Sequence, residues 1–467
     1  LWKIPVNGGA ATEIPFEVDV ELDFGPEVRF DYPISDEKEM IATQIRDAKR
    51  SPDGSKIAFT ALNRLYIMDY PNGETKRLTK SNHTEAMPVW SPDGSSIVYS
   101  TWEGTQGNLY KVKATGGKPE KLTTEPGVYM NPGWDQKTNR IVFTYGPAQA
   151  YENAVDPFSF GAQIHIGWIS SAGGKITKIK PAGGRDLPHF VDGNDRIYMY
   201  HGGKGLLSMR WDGTDEKEHL KITGIMTYPA LIHGHDGGHI LEMDPKEPQR
   251  RPSNAEYIYM APKGDKAMAK INNDVFVVTV PPVGAETVTI SVSDPSSASF
   301  PSWKLTTFGG EFAHWNSDGN TVNFTLGNAY FAYDLAEAKK VTEELEKKKK
   351  EEEKNKKEEA EKEKEKKEDG EETDEDGDEE GEGDEAESEG DSSEESSDDA
   401  EKEKEDEGYK PNEIRVKVKV EKDVPKGTVL LKGARIITMD GDKVIENGDI
   451  LIENARIKAV GESGSLE

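Results

Sequence analysis

Pro88-Val89-Trp90-Ser91-Pro92-Asp93-Gly94-Ser95-Ser96-Ile97-Val98-Tyr99-Ser100 runs from an apolar anchor through a tight turn into an alternating strand. Pro92 presets its own φ, Asp93 can hydrogen-bond nearby backbone, and Gly94 tolerates a positive φ, so the turn has a mechanism in each residue. The residues after it alternate as a half-buried strand does. The same unit occurs earlier as Arg50-Ser51-Pro52-Asp53-Gly54-Ser55-Lys56-Ile57-Ala58-Phe59-Thr60. Asp53 and Asp93 lie 40 residues apart. That is the period of a four-stranded propeller blade, a unit that cannot bury its faces alone and must pack against neighbours.

A second signal follows each turn at a fixed place. Leu109-Tyr110-Lys111-Val112 leads to Gly116-Gly117 and returns at Leu122-Thr123, and Leu65-Tyr66-Ile67-Met68 leads to Asn72-Gly73 and returns at Leu78-Thr79. Each reads as a hairpin. Looser copies stand at Leu1–Gly9, Ile166–Gly174 and Leu207–Gly213. The spacing predicts blades over 41–79, 87–123, 131–180 and 187–222, and a less regular one over 225–292. A last blade opens at Phe312-Ala313-His314-Trp315-Asn316-Ser317-Asp318-Gly319. The opening residues read as the tail of a blade that begins upstream, where any signal peptide would also lie. The expected fold is all-β: a six- or seven-bladed β-propeller, truncated at its N-terminus, over residues 1–340.

Charge is unevenly spread. Residues 341–409 hold 36 acidic and 13 basic side chains, a net of −23 out of a total of −29. The rest of the chain carries only −6, so the overall acidity is no guide to a partner. No concentrated basic stripe is visible, which argues against nucleic-acid binding. There is no cysteine, which excludes disulfides and thiolate chemistry. No run of 18 apolar residues exists, so no membrane-spanning helix is expected. Residues 343–367, nearly all Glu and Lys, could form a solvated helix through i,i+4 pairs, whereas 370–399 lacks the apolar residues to offset its ordering entropy. Residues 341–410 are therefore expected to be a disordered acidic insertion in the last blade. Strand character resumes at 414–420, so 411–426 are assigned to the last propeller strand and a connector. Residues 427–467 read as three short strands, too few for a domain.

The W-S-P-D-G-x-x-I-x-Y pattern with its following L-Y and G-G hairpin resembles the TolB-like, tricorn-like propellers with PD40 repeats, across roughly 1–335. Residues 90–123 fit almost throughout. Residues 51–79 lack only the leading aromatic. The motif speaks for fold and hardly for chemistry. Leu430, Leu431, Ala434–Met439, Gly441, Gly448–Ile452 and Arg456–Gly461 resemble the first strands of metal-dependent amidohydrolases of the imidazolonepropionase- and dihydroorotase-like kind. That resemblance implies the start of a β-sandwich flanking a metal-bearing barrel that lies beyond Glu467. It also implies a parent enzyme cleaving amide, cyclic amide or peptide-like bonds, with a divalent metal, zinc by preference, held outside this segment. The propeller would then gate access or bind. Two other readings stand beside it: an extracytoplasmic TolB-like protein-binding scaffold, and the accessory propeller of a serine oligopeptidase. No G-x-S-x-G elbow occurs in the chain. The resemblance places the protein in the periplasm or outside the cell, with a protein or peptide ligand at the propeller face.

Few residues suggest chemistry directly. His233, His235 and His239, with Asp236 among them, lie in a glycine-rich stretch where imidazoles could converge on zinc. The plainer reading is a turn with surface histidines. His83, His189 and His201 are candidates for a channel mouth or ligand face, against a packing role. Trp2, Trp90, Trp134, Trp168, Trp211 and Trp315 recur at repeat positions and read as packing between sheets rather than a ligand cage.

Overall fold

The computed structural model describes residues 1–20, 35, 37–149, 164–225, 252–282, 284, 286–368 and 408–466. The chain divides into two compact units, Ile41–Val420 and Leu1–Met40 with Glu421–Glu467.

Among the described residues of the larger unit the repeat produces six sheets, antiparallel except for one edge pair. The first is Arg46–Arg50, Lys56–Ala61, Arg64–Asp69 and Lys76–Arg77, and the second Thr84–Trp90, Ser96–Trp102, Gly107–Lys113 and Glu120–Lys121. The third is Val128–Trp134, Arg140–Gly146, His165–Ser170 and Thr177–Pro181. The fourth runs Arg185–His189, Ile197–His201, Gly205–Met209, Lys217–Ile225 and gains Pro252–Asn254 and a parallel Val288–Ser291 at its edge. The fifth is Tyr257–Met260, Lys266–Ile271, Asp274–Thr279 and Ser302–Lys304. Glu311–Trp315, Thr321–Leu326, Ala329–Asp334 and Asn412–Arg415 make the sixth. The irregular stretch expected as one blade over 225–292 is thus shared. Its edge pieces extend the fourth sheet, and its central strands belong to the fifth.

Alternation explains the packing. Ile57 and Phe59 point to one side of the first sheet and Ala58 to the other, as strand geometry requires. Ala58, Leu65 and Ile67 pack on Trp90, Ile97 and Tyr99 of the second sheet. Val98 and Leu109 then meet Trp134, Ile141 and Phe143 of the third. The same relay continues through Val142 and Ile197, Leu220 and Ile258, and Val277 and Val322. Tyr330 and Ala332 of the sixth sheet pack on Ile57, Phe59, Tyr66 and Met68 of the first. Each of the Val, Leu, Ile, Phe and Met side chains among them contributes about 1.5–3 kcal/mol when fully buried. The unit is predominantly β and propeller-like.

The turns form as their residues dictate. Asp53 accepts from the Ser51 hydroxyl at 2.6 Å and from the Ser55 amide at 3.0 Å, and Asp93 repeats both bonds with Ser91 and Ser95 at the same distances. Gly54 and Gly94 take φ of 74° and 70°. The Trp90 indole donates to the Lys49 carbonyl at 2.8 Å, and the Trp315 indole to Tyr259 at 3.1 Å, so these tryptophans tie neighbouring sheets. Arg50 holds the equivalent place in the first copy and lies over the Tyr70 ring, 3.8 Å from its centre.

The insertion assigned as disordered over 341–410 opens instead with a helix, Leu335–Glu368, which covers the Glu- and Lys-rich stretch 343–367 expected to form one and starts directly after the strand Ala329–Asp334. Asp334 caps it by accepting from the Ala336 and Glu337 amides at 2.9 and 3.0 Å. Leu335 and Ala338 are buried, and Lys339–Glu343 and Glu337–Lys340 pairs begin the charged stretch. The capping and high helix propensity of Glu and Lys outweigh the lack of an apolar stripe. Across the insertion, the Asp334 amide donates to the Tyr409 hydroxyl at 3.3 Å, and Tyr409 meets Tyr333 edge-on at 4.9 Å. Residues 370–399 fall outside the described residues.

In the smaller unit, Trp2–Lys3 pairs with Thr12–Glu13 in a two-stranded piece outside the six sheets. Thr428–Ile437, Val444–Glu453 and Arg456–Glu462 form an antiparallel sheet with Leu431, Ile450 and Val460 in register. The fully buried Asp449 carboxylate accepts from the Gly433 amide at 3.0 Å and the Gly464 amide at 2.7 Å.

Candidate functional site

The first strands of five sheets, in chain order, share one irregularity. Their register slips between Arg46 and Lys49, Ala86 and Val89, Met130 and Gly133, Asp186 and His189, and Glu311 and His314. In each slip one non-glycine residue takes a left-handed backbone: Asp47 (φ 49°), Met87 (54°), Asn131 (49°), Leu187 (58°) and Phe312 (53°). These are bulges, and each left-handed side chain costs on the order of 1 kcal/mol or more. The residue after each is small or ring-locked, namely Ala48, Pro88, Pro132, Pro188 and Ala313, and all five are buried. The bulge residues themselves stay half-exposed. The fifth sheet has no slip and places Tyr257 and Tyr259 at the corresponding positions.

The bulges reach one another from sheet to sheet. The Met87 amide meets the Asp47 carboxylate. The Asn131 amide points at the Met87 sulfur at 3.2 Å, and the Asn131 side chain donates to Asp186 at 2.9 Å. Asp186 also accepts from the Thr144 hydroxyl at 2.9 Å and the Leu187 amide at 2.7 Å. The Tyr257 hydroxyl accepts from the Ala313 amide at 3.3 Å. Lys270 bridges Glu311 at 2.8 Å and Glu256 at 3.2 Å.

Enclosure shows in the electrostatics. Burial pushes the Asp47 carboxyl above its ordinary value, against the pull of Lys49, and pushes the Lys49 ammonium below its own. Lys49 keeps some accessible surface while protein surrounds it, and its ammonium makes no ion pair within 4.0 Å among the described residues. Burial raises Tyr259 well above the usual phenol range, and Tyr257, Asp186 and Asp47 add to the effect. The site offers a carboxylate, an ammonium, an amide and phenols on a strained wall. Among the described residues no group of three His, Cys, Asp or Glu could hold a metal ion.

The histidines suggested by the sequence do not assemble. His189 is a strut between the fourth and fifth sheets: its Nδ1 bonds the Leu187 carbonyl at 2.9 Å and its Nε2 accepts from the Met260 amide at 2.9 Å. Burial lowers it to about 4. His201 closes a hairpin, its Nδ1 accepting from Gly203 and Lys204 amides at 3.0 and 3.2 Å. His83 is exposed in a groove between the first and second sheets. His233, His235 and His239 lie outside the described residues. Trp168 and Trp211 do form a cage, and Arg140 fills it, 4.3 and 4.9 Å from the ring centres. The bulge residues had escaped the sequence reading. Pro88, Pro132 and Pro188, each two places before an aromatic or histidine-flanked turn, were the available signal, because proline inside a strand marks an edge or bulge.

The sequence profile described as the TolB beta propeller domain matches residues 43–163. The protein TolB homolog of Chlorobaculum tepidum is 34% identical over 107 residues, 22% of this chain and 24% of that protein. The Tol-Pal system protein TolB of Hydrogenovibrio crunogenus is 30% identical over 87 residues, covering 18% and 20%. The chain thus spans about a quarter or less of the length of these relatives. Among solved structures, TolB from Acinetobacter baumannii covers 64% of this chain and 61% of its own, at 12% identity and a TM-score of 0.38. The chain carries a TolB/PD40-like β-propeller domain.

Proposed function

We propose that the six sheets close into a six-bladed propeller that binds a protein or peptide partner on the face where the bulges converge. The observation that carries this reading is the repeated left-handed bulge on the first strands of five sheets. Backbone strain repeated at one level of a scaffold is retained where it positions groups for a ligand. The TolB-like character of the domain favours binding over catalysis, and the packing of Tyr330 and Ala332 on Phe59 supports closure. The location that goes with this reading is the periplasm or another extracytoplasmic space. Among the described residues no helix is long and apolar enough to cross a membrane.

The test replaces Asp47 and Lys49 together, as Asp47→Asn with Lys49→Met, in the full chain. A partner captured from a cell-envelope extract by the parent protein is lost by the variant, while circular dichroism stays unchanged. Equal capture by both would overturn the assignment of the face.

A second reading concerns residues 428–462. They form a three-stranded antiparallel sheet where the amidohydrolase resemblance implies the first strands of a flanking β-sandwich. Metal-dependent amide hydrolysis by the full-length protein tests it, and inactivity with zinc and other divalent metals would remove it.

A further inference from the structure

A groove of about 840 Å³ opens between the first and second sheets, away from the bulge residues just described. One wall is the connection Arg77 to His83 and the other is the hairpin Thr115 to Pro119. Tyr99 and Tyr110 lie between them, stacked with ring centres 6.1 Å apart and planes 22° from parallel. Every charged or titratable cation-forming side chain lining the groove is basic: Arg77, Lys80, His83 and Lys118. No carboxylate lines it.

The cations are available. Lys80 and Lys118 are exposed and form no ion pair among the described residues. The Arg77 guanidinium is held in place by the Ser81 carbonyl, which leaves its charge uncompensated. Two acids lie behind the lining and both are engaged: the buried Glu85 accepts from the Thr79 hydroxyl and the Leu65 amide, and Glu103 accepts from the Thr101 hydroxyl at 2.9 Å and the Asn108 amide at 3.0 Å. Gly116 and Gly117, with φ of 86° and 124°, leave the middle of the second wall open between Thr115 and Lys118, and a Cβ at Gly117 would meet nothing within 4 Å.

We propose that this groove binds an acidic linear peptide segment of a partner protein. Outside residues 341–409 the chain carries a net charge of only −6, so a groove whose charged lining is basic throughout is a local positive field that selects an anionic ligand. The cations are spread over two walls rather than gathered at one point, which suits charges strung along a chain better than a single anion. Ser81, Asn82 and Thr115 supply polar groups for peptide amides, and the half-buried Tyr110 supplies a face for side chains between the acids. The groove is independent of the bulge face, so either assignment can fail alone.

Fluorescence anisotropy on the full chain decides it, with a labelled Asp/Glu-rich decapeptide as probe and a Lys-rich decapeptide and inorganic phosphate as comparisons. The acidic peptide binds and the basic one does not. The double variant Lys80→Glu with Lys118→Glu weakens binding by about tenfold or more, whereas Lys175→Glu with Lys178→Glu, elsewhere on the surface, leaves it unchanged. Both pairs are exposed or at the surface, so folding is preserved. Raising the salt weakens binding, as charge pairing demands. The proposal falls if the acidic peptide does not bind, if charge reversal at Lys80 and Lys118 has no effect, or if phosphate displaces the peptide at equal concentration, which would make the groove a simple anion site. Tighter binding of an acidic polysaccharide than of the peptide would also overturn it.

Discussion

Replacing His189 with glutamine should flatten the acid sensitivity of the propeller. His189 is neutral in the fold because burial lowers it to about 4, and its Nε2 accepts the Met260 amide across two sheets. In the unfolded chain a histidine takes its proton near pH 6.5. Between these values the unfolded state binds the extra proton, so stability falls as pH drops from about 7 and levels off below about 4. From pH 7.5 to pH 5 this one group accounts for a loss of about 2 kcal/mol, given the tenfold cost per pH step of 1.36 kcal/mol. A glutamine oxygen can take the Met260 N–H without titrating. For a unit of this size the difference is worth about 2–3 °C in Tm. His219 and His314, also lowered by burial, to about 4 and about 3, are common to both proteins and cancel. The assay is Tm against pH for the parent and His189→Gln: the advantage of the parent at pH 7.5 should shrink by that amount at pH 5. Parallel curves would refute the strut reading.

Other perturbations follow from single contacts. Gly133→Ala places a Cβ 2.3 Å from the Pro188 carbonyl oxygen, so it should cost about 3 kcal/mol or prevent folding, read by thermal unfolding. Asp93→Ala removes the bonds to Ser91 and Ser95 and should cost about 1 kcal/mol in chemical denaturation. Asp449→Asn keeps one acceptor for two amides, so hydrogen exchange at Gly433 and Gly464 should rise by about tenfold or more. Arg140→Ala empties the Trp168–Trp211 cage and should red-shift tryptophan emission at a cost of about 1 kcal/mol.

The repeat was legible because turn chemistry is local. Ser-Pro-Asp-Gly closes the same bonds wherever it stands, and alternation then assigns Ile57 and Ala58 to opposite faces. The fifth sheet was blurred because its strands lack that turn, and pieces near Asn254 and Ile290 pair with a neighbour instead. The helix from Leu335 was visible as Glu–Lys spacing and its cap on Asp334 is local, two and three residues from the amides it accepts, but the Tyr333–Tyr409 contact joins residues 76 apart and leaves no local trace. His83, His189 and His201 stood out by residue type, yet two of them serve the backbone. The bulge face is built from Asp47, Met87, Asn131, Leu187 and Phe312, which share no chemistry. Only their place three residues before the anchor of each copy relates them, and that place has meaning once the sheets are stacked.

The central claim is that the bulge face binds a partner, and photo-crosslinking tests it most directly. Phe312, half-exposed and already aromatic, is replaced by p-benzoylphenylalanine in the full chain, with Lys137 on an exposed turn as the comparison position. Irradiation in the native envelope should give a discrete cross-linked species from position 312 and none from position 137, and Asp47→Asn with Lys49→Met should abolish it. No adduct from position 312, or the same adducts from both positions, would contradict the account.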